Sequence, residues 1–135
     1  MSEAAKNRPK YGVMRIVDVM HYRLPLPAYV SIFHRVSGVL LFLALPFILY
    51  LLEQSLTSEL SFEYFREFVA QPFVKLIILV LVWGYLHHFF AGFRHMQLDF
   101  HIGLDLPTAR KTSAAVFIVS LLLTALVGLK LFGAF

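Results

Sequence analysis

Two short runs carry residues able to do chemistry. The first is Ser31-Ile32-Phe33-His34-Arg35. On a helix Ser31 and Arg35 are i,i+4 neighbours, with His34 beside them. A hydroxyl, an imidazole and a cation converging in this way suit a ligand rich in acceptor oxygens. Ser31 would donate to a carbonyl and Arg35 would stabilise developing negative charge. The plainer reading is that Arg35 reaches the headgroups and Ser31 bonds its own backbone. The second run is His87-His88-Phe89-Phe90-Ala91-Gly92-Phe93-Arg94-His95, followed by Asp99. His88, Gly92, His95 and Asp99 form one helical stripe, and His87, Ala91 and Arg94 form its neighbour. A glycine one turn from His88 admits a flat, bulky group to the backbone. His95 and Asp99 are spaced to pair on the helix surface. An imidazole beside such a glycine suits haem iron. Helix packing by a hydrogen-bonded histidine and proton relay inside a membrane remain the other readings.

Both runs must be positioned by elements of an unusual composition. Of the 135 residues, 59% are hydrophobic and only 15% charged, with 14 phenylalanines; mean hydropathy is +0.75. A soluble domain of this size cannot bury so much apolar surface in one core, and a disordered chain would be polar and highly charged. The composition therefore points to the lipid bilayer. Cysteine is absent. That excludes disulfides, thiolate metal sites, Cys-held iron–sulfur clusters and covalent haem attachment within this chain. The six histidines are the candidate metal ligands. The net charge of +4 does not indicate nucleic acid, because the basic residues sit at the ends of apolar runs and form no basic face.

Three runs lack Asp, Glu, Lys and Arg: Val36–Leu52, Leu76–Phe93 and Thr112–Leu129, of 17, 18 and 18 residues. Each approaches the ~20 residues that cross a hydrocarbon core, and a span must satisfy its backbone internally, so these are helices. The expected fold is an all-α membrane protein with three transmembrane helices at about 28–52, 72–98 and 111–131. Residues 28–135 form the transmembrane domain and 1–27 an N-terminal cytoplasmic segment, with a short surface helix within Tyr11–Tyr22. Pro46 is a candidate kink in the first span. The four glutamates of 53–67 read as a solvated outer connection. His21 and His101 read as interfacial surface residues, and Trp83 and Tyr85 as residues without a chemical role. No secretory signal or transit peptide is visible, which favours a bacterial or already processed chain.

Lys and Arg set the expected orientation. Six lie at or before Arg35, and Arg94, Arg110 and Lys111 flank the second loop; Arg66, Lys75 and Lys130 alone belong to the other side. The bias of nine to three puts the N-terminus and second loop in the cytoplasm, and the first loop and C-terminus outside. His88 then lies ~15 Å along its helix from the cytoplasmic end and Arg35 ~10 Å. His34 and Arg35 are thus within reach of a haem held at His88. A second axial ligand must come from His34 or from another chain.

The motifs resemble the cytochrome b membrane-anchor subunits of succinate dehydrogenase, respiratory complex II. The resembling residues are Arg8-Pro9, then Ser31-Ile32-Phe33-His34-Arg35-Val36-Ser37-Gly38, then His88 through His95 with Asp99. The family pattern is Ser-x-x-His-Arg-x-[Ser/Thr]-Gly, then His-x-x-x-Gly-x-Arg-His and an Asp four residues on. One departure is that Arg8-Pro9 runs into Lys10-Tyr11-Gly12, where the family often has Ser-Pro-His. The resemblance implies that His88 is an axial ligand of haem b and that Ser31 and Arg35 belong to a quinone site. It implies that His34, and less directly Arg94 and His95, lie near the haem propionates. It also implies four kinds of partner: a second anchor subunit with the other haem ligand, an iron–sulfur subunit, a flavoprotein carrying the dicarboxylate active site, and the bilayer. The chain would be a haem- and quinone-binding subunit of succinate:quinone oxidoreductase in the tricarboxylic acid cycle, in a bacterial inner membrane. It would bear no catalytic residue of its own, and its quinone would be ubiquinone or menaquinone. A fumarate reductase anchor, a proton-conducting or transport subunit, and a purely structural anchor are the alternatives.

Overall fold

The computed structural model describes residue 12 and residues 15–133. Lys6, Arg8-Pro9, Lys10, and Tyr11 at the start of the expected surface helix lie outside the described residues. Five helices follow in order: α1 (Ile16–Met20), α2 (Leu26–Thr57), α3 (Glu59–Ala70), α4 (Pro72–Asp99) and α5 (Leu106–Leu131). No strand is present among the described residues. α2, α4 and α5 are each long and apolar enough to cross a membrane, as the charge-free runs predict.

The ends of the helices follow from local chemistry. α2 starts at Leu26 with Pro25 as its N-cap residue and a proline in its first turn, where the missing N–H would be unpaired in any case. The helix continues through Pro46 to Thr57, five residues past the expected end. Ser58 then breaks the chain and caps α3: its side chain accepts from the Ser61 N–H, and Ser61 reaches back to the Ser58 N–H, a reciprocal cap. α4 begins at Pro72, as expected, and closes with two bonds, Ile102 N–H to the Gln97 carbonyl and His101 N–H to the Leu98 carbonyl. These belong to a Schellman ending, with His101 in the left-handed region at φ 61°. α5 starts five residues earlier than expected, because Asp105 caps it by accepting from the Thr108 N–H at 3.0 Å.

The acidic stretch 53–67, read as a solvated connection, has its glutamates exposed but is helical. The segment is the end of α2 and most of α3. Phe65, Phe68 and Val69 share one side of α3, and Phe68 meets Phe47 of α2 edge to face at 6.4 Å. Glu59, Glu63 and Glu67 occupy its other side, and Glu53 lies near the end of α2.

Contact pairs fix the topology. Residue 34 meets 88, 92 and 95, while 37 meets 84 and 88, so α2 and α4 run antiparallel. Arg94 meets Thr112 and Gly128 meets Leu79, so α4 and α5 are also antiparallel. The three spans pack on small residues. Ser37, Gly84, Ala91, Ser113 and Ser120 are all buried, which lets the backbones approach where apolar burial alone gives no driving force. The buried hydroxyls are satisfied within their own helices: Ser37 donates to the His34 carbonyl at 2.9 Å, Ser113 to Ala109 at 2.7 Å and Ser120 to Phe117 at 3.1 Å.

Candidate haem and quinone site

The histidine doublet separates into two environments. His87 is completely buried, among Phe33, Trp83 and Phe117 at ring distances of 6.0, 5.4 and 5.1 Å. Its Nε2 makes a long 3.5 Å contact with the Val30 carbonyl, and its Nδ1 has no partner. His88, one residue on, faces a shallow open groove of about 420 Å³. His34, Arg35, Gly38 and Phe42 of α2 line the same groove.

His88 is held in a defined state. Its Nδ1 lies 3.0 Å from the His34 carbonyl oxygen. A carbonyl only accepts, so Nδ1 carries a proton, and in the neutral ring the lone pair is on Nε2. Ser37 completes the triangle, with Oγ 3.3 Å from Nδ1 while its own hydroxyl donates to the same carbonyl. Such a bond fixes both tautomer and ring orientation in a metal-ligating histidine. Gly38 explains the close approach of the two helices: a Cβ there would stand 2.9 Å from His88 Cε1.

His34 lies flat against His88, with ring centroids 4.2 Å apart and planes 8° apart. His95 adds a third imidazole 5.0 Å from His34. Gly92, read as room for a flat ligand, instead accommodates His34: a Cβ at Gly92 would stand 3.4 Å from His34 Nε2. The expected His95–Asp99 pairing does not form among the described residues; His95 turns to His34 instead. Two rings stacked face to face cannot also sit on opposite sides of one flat macrocycle, so the stacking disfavours His34 as the partner ligand.

The remaining candidates are distributed around this cluster. Arg35 is exposed at the groove and makes no ion pair among the described residues. Ser31 is half-buried one turn earlier on α2, does not line the groove, and has no hydrogen-bond partner among the described residues. The expected alternative, back-bonding of Ser31 to its own helix, is therefore absent. Arg94 is not brought to the imidazoles. It is 5% exposed and points to α5, where Nε donates to Thr112 Oγ1 at 3.1 Å. His21 is exposed, bonded through Nδ1 to the Val17 carbonyl at 2.8 Å, and His101 is exposed at the α4 terminus. The residues missed by sequence reasoning are Ser37 and Gly38. Both lie inside the Ser-x-x-His-Arg-x-Ser-Gly run, and that run was the available signal.

Comparison with known proteins identifies the family of the chain. Residues 6–127 match the family model described as succinate dehydrogenase/fumarate reductase transmembrane subunit. The chain is similar to the succinate dehydrogenase cytochrome b556 subunit of Coxiella burnetii, 33% identical over 113 residues that cover 83% of this chain and 90% of that protein. It is also similar to the protein of the same name from Paracoccus denitrificans, 34% identical over 78% of this chain and 81% of the relative. The match spans both histidine runs, α2 and α4, and α5 as far as residue 127, and the chain belongs to the succinate dehydrogenase/fumarate reductase transmembrane subunit family.

Proposed function

We propose that the chain is the haem b- and quinone-binding anchor of a succinate:quinone oxidoreductase, carrying electrons from a partner iron–sulfur subunit to membrane quinone. The observation that carries the reading is His88. Its Nδ1–H is committed to the His34 carbonyl, and its ring lines an open, largely apolar groove, where Nε2 of the neutral ring is the nitrogen left to ligate. That is the donor state haem iron requires. The groove is open on one side, which suits a site completed by a second anchor subunit that supplies the other axial ligand. A haem at this position would supply one-electron redox chemistry. His34 and His95 stand at the same end of the cluster, where propionates would find imidazole donors; Arg94, turned to α5, is the weaker member of that set.

Arg35 and Ser31 are assigned to the quinone. Among the described residues, Arg35 presents a guanidinium without an ion pair at the groove, and Ser31 a hydroxyl without a hydrogen-bond partner on the same helix. Arg35 would stabilise negative charge developing on a quinone oxygen, and Ser31, one turn earlier on α2, would donate to a quinone carbonyl. The flavoprotein partner would hold the dicarboxylate site. The family description covers both succinate oxidation and fumarate reduction; the names of the relatives favour the first. The corresponding setting is a bacterial inner membrane.

The test is a dithionite-reduced minus oxidised spectrum of the complex purified from its membrane in mild detergent. A b-type band together with succinate–quinone activity is expected, and His88→Ala should abolish or shift the band. An unchanged band in that variant moves the ligand elsewhere. A haem-free complex that retains its partner subunits removes the haem assignment.

A further inference from the structure

A second cluster of polar groups lies at the end of the bundle opposite the imidazoles. Arg66 of α3, Lys75 of α4 and Lys130 of α5 line one pocket of about 500 Å³. They come from three different helices and from sequence positions far apart. They are also all the Lys and Arg of the chain between Val36 and Phe93 and after Lys111. This is the side on which the charge bias leaves few cations, yet the fold gathers all of them around one opening. None has a carboxylate within ion-pair distance among the described residues. Glu63 and Glu67 of α3 line a different pocket, with Gln54, Ser58 and Tyr64. Lys75 has Nζ 5.5 Å from the centre of the Phe132 ring, which is an aromatic contact and leaves its charge unneutralised.

Between the cations the wall is apolar: Phe65 and Val69 of α3, and Val127 and Leu131 of α5. A soluble anion has no use for such a wall. A ligand with an anionic head and a hydrocarbon body uses both parts. α3 positions the site. It is the amphipathic helix between two spans, with Phe65 and Val69 on its inner side and Arg66 at the same opening, as expected of a helix lying at the boundary of hydrocarbon and water.

We infer that Arg66, Lys75 and Lys130 form a binding site for one anionic phospholipid, with its phosphodiester among the cations and an acyl chain against Phe65, Val69 and Val127. Charge complementarity selects this occupant over a zwitterionic lipid, and the apolar wall selects it over free phosphate. Convergence distinguishes the site from ordinary snorkelling, in which each basic side chain reaches the headgroups separately. The site is independent of the haem and quinone assignments.

The intact complex is reconstituted in phosphatidylcholine nanodiscs doped with phosphatidylglycerol carrying a photoactivatable acyl chain, and crosslinked peptides are mapped. Crosslinks are expected on the segments 62–75 and 127–131, enriched over a matched phosphatidylcholine probe. A basic residue near a membrane surface contributes about 1 kcal/mol, so each of Arg66→Gln, Lys75→Gln and Lys130→Gln should lower the enrichment about fivefold. The triple variant should approach the phosphatidylcholine level, and Lys111→Gln should leave it unchanged. If the triple variant does not assemble, the single variants carry the comparison. Equal crosslinking by both probes, crosslinks scattered over the lipid-facing helices, enrichment unaffected by the charge removals, or occlusion of the pocket by a partner subunit would each overturn the proposal.

Discussion

Gly38 and His88 meet more closely than any side chain on Gly38 would allow. With a Cβ at 2.9 Å from His88 Cε1, Gly38→Ala must move the imidazole or separate the helices. The expected result is a shifted or diminished haem band in purified complex. Gly84→Ala is the matched control, since its Cβ would lie an ordinary 3.9 Å from Ser37 Cβ. Arg35 allows a second measurement at this scale. In the proposed role a charge-assisted hydrogen bond from Arg35 to the quinone would be worth ~1.5–3 kcal/mol, so Arg35→Ala should lower quinone reduction about tenfold to a hundredfold. Succinate oxidation by a soluble artificial acceptor should persist, because that acceptor draws electrons before the anchor; equal loss of both activities would count against the role of Arg35. Both effects depend on residues that the sequence displays, but their distances come only from packing α2 on α4.

At the scale of elements, the caps decide where the helices begin. Asp105 illustrates how a single carboxylate starts a span. The Thr108 backbone N–H, then the Thr108 side chain, hold its carboxyl below the ordinary value of 3.8. A depressed carboxylate contributes stability above its unfolded pKa and loses it as pH falls through the folded one. The stability difference between wild type and Asp105→Ala should therefore be constant from neutral pH to about 3.8 and vanish below it, as read from thermal melts in detergent. A difference already declining between pH 7 and pH 5 would assign it to another group. The same logic explains the misjudged connection at 53–67. Its glutamates obscured a capped amphipathic helix, because a search for charge-free runs finds spans and passes over helices lying between them.

For the whole molecule, the apolar surface is largely uncovered. Phe42, Leu43 and Phe73 are 74%, 67% and 72% exposed, a pattern that only lipid or partner subunits can accommodate. The nine-to-three charge bias predicts the sides. The chain contains no cysteine, so single introduced thiols report topology without background. Glu59→Cys should react with a membrane-impermeant maleimide added to intact spheroplasts. Leu104→Cys should react only after the membrane is opened. The reverse pattern would invert the assigned orientation and place the anionic-lipid pocket on the cytoplasmic side.

The residue order alone determined the three spans, the absence of thiol chemistry and the two histidine-bearing runs, because composition and helical spacing are local properties. It also carried the family motif, since Ser31, His34, Arg35, His88 and His95 stand in one readable pattern. Tertiary structure decided what no spacing could. It buried His87 and left His88 at the groove, because adjacent residues on a helix differ by about 100° in direction and only the positions of α2 and α5 say which direction is covered. It stacked His34 on His88, turned Arg94 away to Thr112, and drew Arg66, Lys75 and Lys130 from three helices to one opening. Each of these depends on how the helices pack, which small residues at their contacts permit but the linear pattern does not state.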